Sequence, residues 1–185
     1  MDVFEAIRTR RSIGKVKPDR PPKTDIERLL EYAVWAPNHR LTEPWRFRVV
    51  AGEARVALGK ALEAALRATG ETHAALLEKE RAKPLRAPVV IVVSALPGQD
   101  EIETAENRSA TAAAVQNILL AAHAGALGAY WRTGETIYSK EVAAHLGLAP
   151  NETVIAAVYV GYPDMALKEG RRTKTAKDVT TWLGW

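Results

Sequence analysis

The chain has 185 residues, 47% of them apolar and none of them cysteine, which is enough to bury a substantial core and suits one domain over residues 1–185. Without cysteine, disulfides, thiolate metal sites, thiol nucleophiles and iron–sulfur ligation are excluded, and a reducing cytoplasm is the expected compartment. The 26 basic and 22 acidic residues leave a net charge of +4, but the two signs are interspersed and no basic tract alternates with aromatics, so no nucleic-acid partner is expected.

The opening Met1-Asp2-Val3-Phe4-Glu5 carries acid where an export signal needs a basic and then an apolar stretch, so no such signal is expected. No apolar run approaches the roughly 20 residues that span a bilayer. Asp2 is placed to cap a short helix with Val3, Phe4 and Ile7 on one face, delivering Arg8, Arg10 and Arg11 at its end before Ser12 and Gly14 break it. Thr24 and Glu27 read as a capping box for a helix carrying Ile26, Leu29, Leu30, Ala33 and Val34, which ends towards Ala36-Pro37. Trp45 to Ala51 reads as a strand, Glu53 to Thr69 as an amphipathic helix, and a charged helix from Glu71 ends near Pro84.

Pro88 to Ala95 is a β-branched run apolar on both faces, the pattern of a central, fully covered strand. Ala105 to Leu127 predicts a long helix, small and apolar nearly all round, to be buried in the core or against a partner. A short strand over Gly128 to Thr133, a helix capped by Ser139 and stopped at Gly147, and a buried strand over Thr153 to Tyr162 follow. The tail from Lys168 to Trp185 is basic first and aromatic last. Helices and strands do not alternate regularly, so the expected class is α+β, with helices around a central sheet.

The nucleophile-elbow, zincin, P-loop and dinucleotide glycine motifs are absent. His73 and His145 read as surface or helix-cap residues and His123, on the apolar helix, as a satisfied core residue; the four histidines do not show metal-ligand spacing on one helix, so no metal is expected. Arg10-Arg11-Ser12 brings two guanidinium groups and a hydroxyl off a helix end, a set able to clamp a phosphate. Taken alone, a solvated basic turn explains it as well. It occurs together with Ala36-Pro37-Asn38-His39-Arg40, Pro44-Trp45-Arg46-Phe47 and Gly128-Ala129-Tyr130-Trp131-Arg132-Thr133-Gly134.

In these motifs, their order and their spacing from residue 1 to about 162, the chain resembles the nitroreductase family of FMN enzymes, especially its short-chain members. The resemblance implies a nitroreductase-like α+β fold with a mainly antiparallel sheet, and a homodimer with exchanged tail contacts and FMN at the subunit interface. It gives Arg10, Arg11 and Ser12 to the phosphate and ribityl end of FMN, with Arg172 and Lys174 of the tail as further phosphate candidates. It sets Trp35 and His39 of one subunit against the flavin of the other, and Trp131, Arg132 and Thr133 around the ring. Two places depart from the family pattern. Gly14 stands where a basic residue is common, with Lys15 next, and Leu41-Thr42-Glu43 replaces the usual Asn and Gln before Pro-Trp. The activity implied is transfer of reducing equivalents from NADH or NADPH to a nitroaromatic, quinone or similar acceptor by a ping-pong scheme, without a catalytic side chain. Another flavin reaction on the same fold, such as dehalogenation or dehydrogenation, and a non-catalytic flavin carrier are the alternatives.

Overall fold

The computed structural model describes residues 1–167 and 169–185; Lys168, where the basic tail was expected to begin, lies outside the described residues. Its centre is strand β2 (Val89–Ala95), in which every residue is buried. β2 pairs antiparallel with β1 (Trp45–Ala51) on one side and β4 (Thr153–Gly161) on the other, and β3 (Gly128–Arg132) closes the sheet against β4, giving the order β1-β2-β4-β3. The expected antiparallel sheet surrounded by helices is therefore present.

Strand alternation divides the core in two. Val89, Ile91 and Val93 of β2, with Val158 and Val160 of β4, meet helices α2 (Lys23–Ala33) and α5 (Glu101–Ala124). Val90 and Val92, with Ala157 and Tyr159, meet α3 (Ala54–Ala68) and α6 (Lys140–Leu146). Ala110, Ala114 and Ala122 let α5 approach the sheet closely, with Val115, Ile118 and Leu119 filling the remaining space. A helix α4 (Ala74–Arg81) packs outside α3. No helix among the described residues is long and apolar enough to cross a membrane.

Local signals shifted several boundaries. α2 starts at Lys23 with Pro22 as its N-cap and no side-chain cap. The expected Thr24 capping box is displaced because proline, with its fixed φ, already starts the turn there. α4 starts at Ala74, and Glu71 instead accepts from the amides of Thr72 and His73 just before it. α5 begins at Glu101, four residues before the expected start, because the Asp100 side chain accepts from the Glu103 amide at 2.8 Å. It ends at Ala124, and Gly128, expected to open a strand, is the first residue of β3. Only one side of α5 is buried, so the expectation of cover nearly all round is not met within this subunit. On α1 (Val3–Thr9), the predicted apolar face of Val3, Phe4 and Ile7 is likewise exposed, and Ala6 is what the subunit buries.

One polar cluster ties the far end of the sheet together. The Glu152 carboxylate, its side chain 2% exposed, receives hydrogen bonds from Arg48 of β1, from the Ser94 hydroxyl of β2 and from the Ala149 amide. Arg48 also donates to the Leu146 and Gly147 carbonyls, satisfying the end of α6. Burial alone would push the Glu152 carboxyl up; the bonds from Arg48, Ser94 and Ala149 outweigh it and hold the group below the usual carboxylate range. A depressed carboxyl contributes stability that is present above its unfolded-state pKa and lost as pH falls through the folded value. Glu152→Gln should therefore cost about 3 kcal/mol at neutral pH. The deficit should shrink in acid, below about pH 4. Urea denaturation of both proteins across this range measures it; a deficit independent of pH would contradict the assignment.

Candidate functional site

The segment after α1 is bound along the edge of the sheet. The Ile13 amide donates to the Ala129 carbonyl at 3.0 Å, Lys17 donates to Tyr162 at 2.8 Å, and Asp164 donates to Lys15 at 3.0 Å. Gly128 is required at the start of β3, because a Cβ there would stand 2.8 Å from Ile13 Cγ2. These bonds bring Arg10, Arg11 and Ser12 beside β3. Lys15 forms an ion pair with Asp164 at 2.7 Å, so it is engaged beside the tail and does not replace the basic residue missing at Gly14.

The tail then returns across this corner. Arg11 Nη1 donates to the carbonyls of Arg8 and Arg10 at the end of α1. Gly170 lies on its guanidinium so closely that a Cβ would meet Arg11 Nη2 at 2.1 Å. Arg172 approaches Arg10. Burial first, and then the charges of Arg11 and Arg172, push the Arg10 guanidinium below its ordinary value. Three cations thus converge from two segments some 160 residues apart, about the whole length of the chain. Ser12 is exposed beside them, and Lys174 lies exposed further along the tail without a described contact to the cluster.

The pleat of β3 separates residues that are neighbours in sequence. Trp131, opposite Val158, packs against the α2 and α5 side of the core. Arg132 points to the other side, its guanidinium 4.4 Å from the centre of the Tyr130 ring and 5.3 Å from that of Tyr159. It lines a small cavity there with Glu80, Lys83 and Thr136. Trp131 and Arg132 thus present their side chains to different sides of the sheet, as successive residues of a strand do. Thr133 follows at the exposed end of the strand.

The remaining candidates stand at the other end of α5. Trp35 follows α2 and is 82% exposed. The next loop holds Arg40, Leu41 and Glu43 at positive φ, a backbone conformation costly for side-chain-bearing residues. It is held by three polar contacts: Asn38 Oδ1 accepts from the Glu43 amide at 3.0 Å, Thr42 donates to Asn107 at 2.8 Å, and His39 Nδ1 lies 2.8 Å from Glu106 Oε2. No local signal in the sequence marks Glu106, Asn107 or Gly170 for these tasks, since each partner is remote in the chain. Glu106 and His123, which contacts the end of α1, are both on α5, 17 residues apart. At about 1.5 Å per residue the His39 loop and the basic corner are roughly 25 Å apart within one subunit.

Gly170→Ala should displace Arg11 and open this corner. Calorimetric titration with inorganic pyrophosphate should show binding weakened by about tenfold, the loss of one charge-assisted contact. Unchanged binding would mean that the close approach of Gly170 does not set the position of Arg11.

Comparison with known proteins places the chain. The profile of the Nitroreductase family matches residues 7–162. YfhC of Bacillus subtilis, which bears a provisional NAD(P)H nitroreductase name, is 35% identical over 175 residues, covering 91% of this chain and 88% of YfhC. YdjA of Escherichia coli K12, named in the same provisional way, is 29% identical over 89% of this chain and 90% of its own. Among solved structures, a nitroreductase-like protein from Bacillus cereus superposes with a TM-score of 0.88 at 26% identity, covering 100% of this chain and 97% of that one. A nitroreductase with bound FMN from Bacteroides fragilis superposes with a TM-score of 0.77 at 25% identity, covering 99% and 100%. With the family profile over most of its length and the same antiparallel sheet within the same helical cover, this chain belongs to the nitroreductase family.

Proposed function

We propose that this chain is an FMN-dependent oxidoreductase that passes reducing equivalents from NADH or NADPH to a small electrophilic acceptor such as a nitroaromatic or a quinone. It works as a cytoplasmic homodimer with a flavin site at each subunit interface. The observation that carries the reading is the corner of Arg10, Arg11 and Arg172. Burial and the two neighbouring cations all act against the charge on Arg10, and a multiply charged anion set among them relieves that opposition. The terminal phosphate of FMN fits this donor set, with Ser12 offering a hydroxyl and Lys174 a further charge. The FMN-bound relative from Bacteroides fragilis supports the choice of cofactor, and the names of YfhC and YdjA support the electron donor.

When bound, FMN supplies the hydride chemistry. The chain's own groups hold and orient the flavin, and no side chain is assigned as an acid or base. Trp131 offers a flat apolar surface to the ring and Thr133 a hydroxyl at its edge. Arg132, engaged with Tyr130 and Tyr159, contributes through its main chain and by anchoring β3.

The dimer is supported by the separation along α5. His39, roughly 25 Å from the basic corner of its own subunit, is too far to share its flavin, but can close the site of a second copy, with Trp35 four residues before it in the chain. A second copy would also cover the exposed Val3, Phe4 and Ile7 of α1 and the tail residues Trp182, Leu183 and Trp185.

The visible spectrum of the purified protein tests the reading, taken before and after anaerobic addition of NADH or NADPH. A flavin spectrum that bleaches is expected. A flavin that stays oxidised would reduce the role to binding, and a protein unable to take up FMN would overturn the proposal. Arg10→Ala and Arg172→Ala should each weaken FMN binding by about 10-fold to 100-fold, the value of a charge-assisted hydrogen bond. With donor and acceptor both varied, steady-state plots should give parallel lines; intersecting lines would exclude the ping-pong order.

A further inference from the structure

The basic corner has a titratable group behind it that the proposed chemistry leaves unused. His123 lies in the last turn of α5, and its Nε2 is 2.8 Å from the Thr9 hydroxyl. That hydroxyl donates its single proton to the Glu5 carbonyl at 2.7 Å. Its oxygen therefore accepts from His123 Nε2–H, which leaves Nδ1 as the atom that gains or loses a proton. Thr9 is the last residue of α1, and the Arg10 amide next to it closes the final turn on Ala6 at 3.0 Å. The His123–Thr9 bond thus pins to α5 the helix end from which Arg10 and Arg11 depart.

We propose that His123 is a positioning residue of this corner: through Thr9 it holds the end of α1 in place, and it takes up a proton when the phosphate of FMN binds. The inference rests on the reading of the corner as the FMN phosphate site. Burial first, and then the charges of Arg10 and Arg11, hold the imidazole below the ordinary histidine value, while Glu5 of α1 acts in the opposite sense. Arg172, from the tail, acts on Arg10 in the same corner. A phosphate dianion among these guanidinium groups offsets most of their positive field at the ring and so raises its proton affinity. A group whose pKa is raised by a ligand strengthens binding at low pH, and the gain is lost as pH rises through the bound-state value. The ionisation of FMN's own phosphate, near about pH 6, runs the other way but is common to every variant.

His123→Gln keeps an N–H where the ring's Nε2–H stood but cannot titrate; His123→Ala removes both. FMN is titrated calorimetrically into the full chain stripped of flavin, at about pH 7, in two buffers of different ionisation heat. The wild type should take up more protons per FMN than His123→Gln. Its affinity relative to that variant should fall by about fivefold between about pH 6.5 and about pH 8.5. His123→Ala should bind more weakly than His123→Gln at every pH, and riboflavin, which has no phosphate, should show no difference in proton uptake. Equal proton uptake with parallel pH profiles in wild type and His123→Gln would overturn the proton coupling. Equal FMN affinity in the Gln and Ala variants would overturn the positioning role. A wild type that binds no FMN would overturn the flavin reading and this inference with it, whereas normal FMN binding with neither effect would overturn this inference alone.

Discussion

Every residue of β2 is buried, so both faces of the sheet must be covered by helices. From this follow the two halves of the core, with α2 and α5 on one face and α3 and α6 on the other. Because β2 is flanked by β1 and β4, the short strand β3 is left as an edge strand of the sheet. An edge strand has an unpaired side, and the segment after α1 occupies part of it through the Ile13 amide. The candidate anion corner is thus assembled at the rim of the sheet, where main chain from both ends of the molecule can meet.

α5 gives that corner its relation to the other candidate residues. It is one continuous helix of 24 residues, with His123 holding α1 at one end and Glu106 and Asn107 holding the loop of His39 and Thr42 nearer the other. A helix is stiff along its axis, so the separation of the two groups is determined by residue count. The proposed dimer follows from this spacing: what cannot be joined within one subunit can be joined between two.

The charges are distributed to suit this arrangement. Where Arg48 and Glu152 meet, cation and carboxylate satisfy each other and the cluster stabilises the sheet. At Arg10, Arg11 and Arg172 the interactions acting on Arg10 are unfavourable to its charge. Such a cluster costs stability in the unliganded protein and gains it back when an anion binds, a common pattern at binding sites.

The amino-acid sequence by itself determined the class of fold and the central position of Val89–Ala95, through periodicity, and the family, through short motifs whose residues are neighbours in the chain; the antiparallel sheet came with the family resemblance. Arg10, Arg11 and Ser12 were legible for the same reason, as three successive residues at the end of a predicted helix. Strand periodicity already put Trp131 and Arg132 on opposite sides of the sheet; only the tertiary structure decided that Trp131 faces the α2 and α5 layer and Arg132 the side of Tyr159. It alone set Gly170 against Arg11, bound His39 to Glu106, and put His123, read in the sequence as a core residue, behind the basic corner. These are contacts between residues 67 to about 160 positions apart. They arise from how helices and tail pack on the sheet, and no local pattern encodes a partner that distant.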